Sequence, residues 1–119
     1  MLFVQYPKCS TCKKAKKYLD DFGAEYEERN IVEDNPTEEE LRAWREKSGL
    51  PLTRFFNATG VRYRELGLKE KRKAMTEDEQ YALLATDGML VKRPILVTDS
   101  GVCVGFKEKE WKEALSGEE

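Results

Sequence analysis

Two cysteines separated by two residues, Cys9-Ser10-Thr11-Cys12, stand between a short apolar run, Leu2-Phe3-Val4, and a lysine-rich stretch of helical spacing from Lys13 to Leu19. A helix start offers backbone N–H groups without intrahelical partners and a partial positive charge, so a sulfur in the first turn is stabilised as thiolate. Thiolate is the form that attacks disulfides and oxidised substrates. The spacing therefore points to a redox-active pair, with Cys9 at the helix cap as nucleophile and Cys12, one turn in and more shielded, as resolving thiol. Ser10 and Thr11 can offer hydroxyl and backbone donors to a thiolate or an oxyanion there, although Thr11 is read as an ordinary first-turn residue. Lys8, Lys13, Lys14, Lys16 and Lys17 surround the pair, and their summed field is expected to lower a thiol pKa further. Lys16 and Lys17 suit a solvated helix face equally well.

Other uses of a Cys-x-x-Cys pair are weaker. A closed zinc site needs four N/S ligands, and the chain has no histidine and only one further cysteine, Cys103, so no metal is expected. Burial of the cysteines as small apolar side chains remains open. Cys103 alternates with Val102 and Val104 on a predicted strand and reads as core packing. Trp44 and Trp111 read as anchors of helices against a sheet.

The 119 residues are enough for one domain with its own core, so no disulfide is needed to hold it together. Lysine and arginine number 21 against 23 acidic residues, and a net charge of −2 gives no general attraction to nucleic acid or membrane. The apolar segment before Pro7 is too short for a signal peptide, and no run approaches a membrane span. A cytoplasmic location and a monomer are expected, with no direct nucleic-acid or membrane partner. Asn57-Ala58-Thr59 matches a glycosylation sequon only formally.

The elements that must hold the cysteines follow from periodicity. Leu2 to Tyr6 predicts a short buried strand, Ser10 to Phe22 a helix ended by Gly23, and Tyr26 to Ile31 a second strand, which suggests a parallel crossover. Thr37-x-x-Glu40 and Thr76-x-x-Glu79 read as capping boxes opening two helices. Leu52 to Phe56, Tyr63 to Leu66 and Lys69 to Lys73 read as short helices or turns between them. Residues 36–88 thus form a helical insert. Met89 to Thr98 and Val102 to Phe106, joined by Asp99-Ser100-Gly101, predict an antiparallel hairpin, and helical spacing resumes from Phe106 to Leu115. The order is βαβ, helical insert, ββα, an α/β fold with one mixed sheet in a single domain, residues 1–119.

This pattern resembles the arsenate reductase-like branch of the thioredoxin/glutaredoxin fold over nearly the whole chain. The matching pieces are Tyr6-Pro7-Lys8-Cys9-Ser10-Thr11-Cys12-Lys13-Lys14-Ala15, then Phe55-Phe56-Asn57-Ala58-Thr59-Gly60 with Tyr63-Arg64-Glu65-Leu66, then Lys92-Arg93-Pro94-Ile95 and Val104-Gly105-Phe106. The resemblance implies a thioredoxin-like fold, Cys9 as the nucleophile, and Arg54 and Arg93 as two of the arginines that hold an oxyanion. Arg54 is equally compatible with a surface ion pair. The resemblance also implies a cis bond before Pro94, facing the active-site cysteine and leaving the preceding backbone groups open to pair with a bound thiol peptide or glutathione. Sequence alone gives any X-Pro bond a cis chance of only about 5–6%. Where the reductases carry a third arginine after the last strand, this chain has Phe106, as Spx-type and uncharacterised members do. A charge-assisted hydrogen bond contributes roughly 1.5–3 kcal/mol, so arsenate is expected to bind poorly.

The resemblance therefore implies a thiol-disulfide oxidoreductase without a bound cofactor, taking electrons from glutathione or a glutaredoxin-type partner. Glutathione itself could resolve the mixed disulfide in place of Cys12. The alternative is a redox-sensing regulator of the Spx type that binds the C-terminal domain of the RNA polymerase alpha subunit. The segment Phe55 to Gly60 looks like the members outside the Spx group, which favours the enzyme.

Overall fold

Phe3 and Val4 are neighbours in the chain and both are fully buried. Successive strand side chains leave opposite faces, so both faces of the sheet that contains them must be covered. The computed structural model, which describes residues 1–117, meets that demand with helices on each side. Strand β1 (Leu2–Gln5), helix α1 (Ser10–Phe22) and strand β2 (Glu27–Asn30) form the parallel crossover. Helices α2 (Glu38–Ser48), α3 (Val61–Glu65), α4 (Leu68–Lys71) and α5 (Glu77–Leu84) follow, with 3₁₀ turns at Leu52–Phe55, Arg72–Ala74 and Gly88–Leu90. Strands β3 (Ile95–Val97) and β4 (Val102–Val104) and helix α6 (Glu108–Ser116) complete the chain.

The sheet order is β2-β1-β3-β4, parallel between β1 and β2 and antiparallel elsewhere. Phe3 and Leu96 pack with Ala15 and Leu19 of α1 and Trp111 and Leu115 of α6 on one face. Val4, Ile95, Val102 and Val104 pack with Leu41, Trp44, Phe55 and Leu84 of the helical region on the other. Cys103 lies against the first cluster, half-buried. Both tryptophans anchor helices as expected, and the buried Trp111 Nε1–H donates to the Gly105 carbonyl at 2.9 Å.

Local signals place the helix ends. Thr37 Oγ1 accepts from the Glu40 N–H at 3.1 Å while Glu40 Oε1 accepts from the Thr37 N–H at 3.0 Å, and Thr76 and Glu79 repeat the arrangement. Each box satisfies two helix-start donors. Gly88 marks a close approach, since a Cβ there would collide with the Ile31 carbonyl oxygen of the loop after β2.

The expected strand from Met89 to Thr98 is shorter than predicted. Residues 88–90 form a 3₁₀ turn, Val91 makes a single bridge with Phe56, and regular pairing begins only at Ile95. Pro94 has no N–H to give a ladder, and residues 90–92 bond instead to residues 55–57 of the helical region. The final helix likewise starts at Glu108, after Phe106 and Lys107 have turned away from the sheet. Among the described residues no helix is long and apolar enough to cross a membrane.

Candidate active site

The end of β1 passes into α1 through the turn Tyr6-Pro7-Lys8-Cys9, in which the Cys9 N–H donates to the Tyr6 carbonyl at 3.0 Å. Proline suits the second position of such a turn because its φ is already set. Cys9 is the N-cap of α1, with extended backbone (φ −91°, ψ 121°), and its sulfur accepts the Cys12 backbone N–H at 3.4 Å. This is the hydrogen bond a serine or aspartate cap makes, here supplied to a sulfur. Cys12 is fully buried, and its sulfur accepts the Tyr6 backbone N–H at 3.5 Å.

The two thiols are pushed in opposite directions. Partial burial raises Cys9, but hydrogen bonds from the Cys12 thiol and backbone N–H and the positive charge of Arg93 outweigh it, so Cys9 lies below the ordinary thiol value. Burial pushes Cys12 up to about 12, with the negative charge of Cys9 adding to the effect. Of the two sulfurs, Cys9 is therefore the one that more readily gives up its proton, and Cys12 the one that keeps it. Of the five lysines expected to lower Cys9, Lys8, Lys13 and Lys14 are exposed, Lys16 bonds Tyr26 Oη at 2.9 Å and pairs with Glu28 at 3.3 Å, and Lys17 pairs with Asp21 at 2.7 Å. The cation that acts on Cys9 is Arg93, from a segment more than 80 residues downstream.

A second piece of backbone brings that segment in. The Lys92 N–H donates to the Phe55 carbonyl at 2.8 Å and the Asn57 N–H to the Leu90 carbonyl at 2.8 Å, on either side of the Phe56–Val91 bridge. Phe55 and Phe56 are buried, so this short ladder is fixed to the core. It places Arg54 and Arg93 on one cleft of about 580 Å³, lined also by Cys9, Thr11, Asn57, Thr59, Gly60, Lys92, Gly105, Phe106 and Lys107. Gly105 has φ +80°, a left-handed conformation that glycine adopts freely, and a Cβ there would lie 3.4 Å from Lys92 Cε.

Every ionisable lining group other than Cys9 is a cation: Arg54, Lys92, Arg93 and Lys107. Among the described residues none of the four is held by a carboxylate, whereas Arg29, Arg42, Arg45 and Arg62 each are. Arg93 goes further. Its Nε and Nη1 are buried without a hydrogen-bond partner, and its guanidinium carbon lies 5.3 Å from the centre of the Tyr6 ring. Such a cleft suits an anion placed next to a thiolate.

Of the residues singled out from sequence, the structure brings Cys9, Arg54 and Arg93 to the cleft and sets Cys12 directly beneath Cys9. Among the described residues no carboxylate pairs with Arg54, which leaves it open to an anion. Pro94 follows a cis bond, as the resemblance implied, but is buried behind the lining. Ser10 is exposed and does not line the cleft, whereas Thr11, read as ordinary, does. Adjacent helical residues point about 100° apart, so only one of the two can face the cleft. Asn57, Thr59, Gly60, Lys92 and Lys107 were not singled out. Four of them lie inside the motif pieces Phe55 to Gly60 and Lys92 to Ile95, so the signal was present without a role attached.

Phe106 forms an apolar wall of the cleft. Its ring lies 5.6 Å from Tyr18 and 5.0 Å from Trp111, continuous with the α1–α6 cluster.

The chain matches the ArsC family over residues 4–114. It is 55% identical to the uncharacterized protein YusI of Bacillus subtilis over 95% of this chain and 96% of that protein. An ArsC family related protein from Bacteroides fragilis has the same fold, with a TM-score of 0.92 and 59% identity over 95% of each chain. A protein from Streptococcus mutans described as a possible arsenate reductase has a TM-score of 0.84 and 43% identity, covering 93% of this chain and 96% of that one. A more distant relative is the regulatory protein MgsR of Bacillus subtilis, 28% identical over 92% of this chain and 86% of that protein.

Proposed function

The chain belongs to the ArsC family, and from that premise we propose that it is a thiol-disulfide oxidoreductase acting on an anionic substrate, with Cys9 as nucleophile. One observation carries this reading: a thiolate-favouring Cys9 at a helix N-cap opens onto a cleft whose other ionisable groups are four cations without carboxylate partners. A cleft of that charge concentrates anions beside the sulfur that would attack them.

The Cys9 thiolate attacks one sulfur of a disulfide R–S–S–R′. The Cys9–S–R bond forms, the old S–S bond breaks, and R′–S⁻ leaves and takes up a proton from solvent. Cys12 then attacks the Cys9 sulfur, its proton passing through solvent to the departing R–S⁻, which leaves as R–SH while a Cys9–Cys12 disulfide forms. Two electrons from glutathione or a glutaredoxin-type thiol restore the pair. Forming the mixed disulfide removes the negative charge that raises Cys12, but not the burial that is the larger cause. Glutathione therefore competes with Cys12 for the resolving step. A cytoplasmic setting, where glutathione is reduced, is part of the proposal.

Arsenate reduction is a specific form of this chemistry. The cleft supplies Arg54 and Arg93 for an oxyanion but offers Phe106 where a third guanidinium is expected. NADPH oxidation in a mixture of glutathione, glutaredoxin and glutathione reductase, with arsenate or a small mixed disulfide added in parallel, tests both. Turnover with the disulfide alone supports the general oxidoreductase, and turnover with arsenate supports the reductase. If neither turns over while Cys9 and Cys12 oxidise reversibly, the enzyme reading is wrong.

The relation to the regulatory protein MgsR and to proteins named global transcriptional regulator Spx supports a second reading, a redox-sensing regulator of the Spx type. Its test is a pull-down with the C-terminal domain of the RNA polymerase alpha subunit. A stoichiometric complex that depends on the state of Cys9 and Cys12 would place the regulator first.

A further inference from the structure

Arg93 occupies an unusual environment for a half-buried arginine. Its Nε and Nη1 have no hydrogen-bond partner, and among the described residues no carboxylate pairs with it. The guanidinium does interact with the Cys9 sulfur by charge and hydrogen bond, but two unsatisfied buried donors are costly, so a further contact must help to hold it in place. The neighbour that faces it is Tyr6, whose ring centre lies 5.3 Å from Arg93 Cζ.

An aromatic face attracts a guanidinium through its quadrupole without occupying any N–H group. A carboxylate in the same place would hold Arg93 equally well but would neutralise its charge and consume its donors. A ring therefore fixes the position of the cation and leaves its charge and hydrogen bonds for the cleft. Tyr6 is also the residue whose main chain touches both cysteines, through its carbonyl to the Cys9 N–H at 3.0 Å and its N–H to the Cys12 sulfur at 3.5 Å. The turn that seats Cys9 and the ring that seats Arg93 thus belong to one residue.

We propose that Tyr6 is a positioning residue of this site: its ring holds Arg93 against Cys9, keeping the guanidinium available to the thiolate and to the anion it attacks. The inference rests on Cys9 being the nucleophile. The ring face carries the effect and the hydroxyl does not, so Tyr6→Phe retains it and Tyr6→Leu loses it.

The test is the pH profile of iodoacetamide alkylation, read at each cysteine by mass spectrometry, for the wild-type protein, Tyr6→Phe, Tyr6→Leu, Arg93→Met and the Tyr6→Leu/Arg93→Met double variant. Tyr6→Phe should follow the wild type. Tyr6→Leu should move the Cys9 profile upward by about half to one pH unit, slowing alkylation below the transition by about three- to tenfold. In the Arg93→Met background the same leucine should add nothing, because the charge it releases is gone. Tyr6→Met, which fills similar space without a ring face, stands in if Tyr6→Leu does not fold. An unchanged Cys9 profile in Tyr6→Leu or Tyr6→Met overturns the inference, as does an equal shift with and without Arg93. A wild-type Cys9 that alkylates no faster than an ordinary thiol is a different result, and it overturns the nucleophile assignment itself.

Discussion

The Cys12 backbone N–H points at the Cys9 sulfur across 3.4 Å, while the Cys12 sulfur is fully buried beneath it and accepts the N–H of Tyr6. One residue thus stabilises its partner's negative charge and keeps its own proton. The two sulfurs should differ sharply in reactivity although they are three residues apart. At neutral pH, a thiol reagent should label Cys9 in the native protein and leave Cys12 until the chain is unfolded. Cys9→Ser should abolish turnover, and Cys12→Ser should leave a trapped mixed disulfide visible as a mass adduct. Full activity in Cys9→Ser would show that another sulfur is the nucleophile.

Arg93 gives its charge to the cleft without a carboxylate partner, so its removal should be felt by anionic substrates. Arg93→Met should raise KM for an acidic disulfide by about one to two orders of magnitude, the scale of one charge-assisted hydrogen bond. Steady-state kinetics at several salt concentrations checks this. An unchanged KM would mean that substrate does not reach Arg93.

Phe106 is an apolar wall of the cleft where the resemblance to the reductases would put an arginine, and an arginine can be introduced there. Phe106→Arg should lower KM for arsenate by about tenfold or more. It should also cost about 1–2 kcal/mol of stability, because the ring contacts with Tyr18 and Trp111 are lost. Arsenate kinetics and urea unfolding measure the two effects separately. If arsenate affinity does not improve, position 106 is not the missing oxyanion ligand.

The Arg29–Glu40 pair ties β2 to α2 and has a signature in pH. The hydrogen bond from Arg29, with a further contribution from the Thr37 N–H, holds Glu40 down at about 2, well below its ordinary value of 4.5. A depressed carboxylate stabilises the fold above its unfolded pKa and loses that contribution as pH falls through the folded value. Glu40→Gln should therefore destabilise the protein at neutral pH by roughly 1 kcal/mol, discounted for the partial exposure of the pair. The difference from wild type should shrink between about pH 4.5 and pH 2. Denaturant melts across that range decide it.

Gly88 is a fold prediction independent of the site. Because its Cβ position is taken by the Ile31 carbonyl, Gly88→Ala should lower stability by about 1–3 kcal/mol. A thermal melt equal to that of the wild type would mean that the loop after β2 yields without cost.

What the sequence by itself determined was local. Cys9 as an N-cap, Gly23 as a helix stop and the two Thr-x-x-Glu boxes are decided by neighbours within a turn of helix, and each appears where its spacing put it. The apolar run Leu2-Phe3-Val4 likewise marked a short buried strand, and the burial of both Phe3 and Val4 in the structure shows that the sheet is covered on both faces. Tertiary structure decided which charges reach the thiol. The abundant lysines beside Cys9 are spent on solvent and on pairs such as Lys17–Asp21, while Arg93 arrives from a distant segment that Pro94 keeps out of the regular ladder and the backbone of residues 55–57 captures. Sequence proximity sets how often two residues meet in an open chain. The packing of the buried Phe55 and Phe56 and of the half-buried Tyr6 sets which meeting persists in the folded one, and so the cleft's cations come from residues 54, 92, 93 and 107.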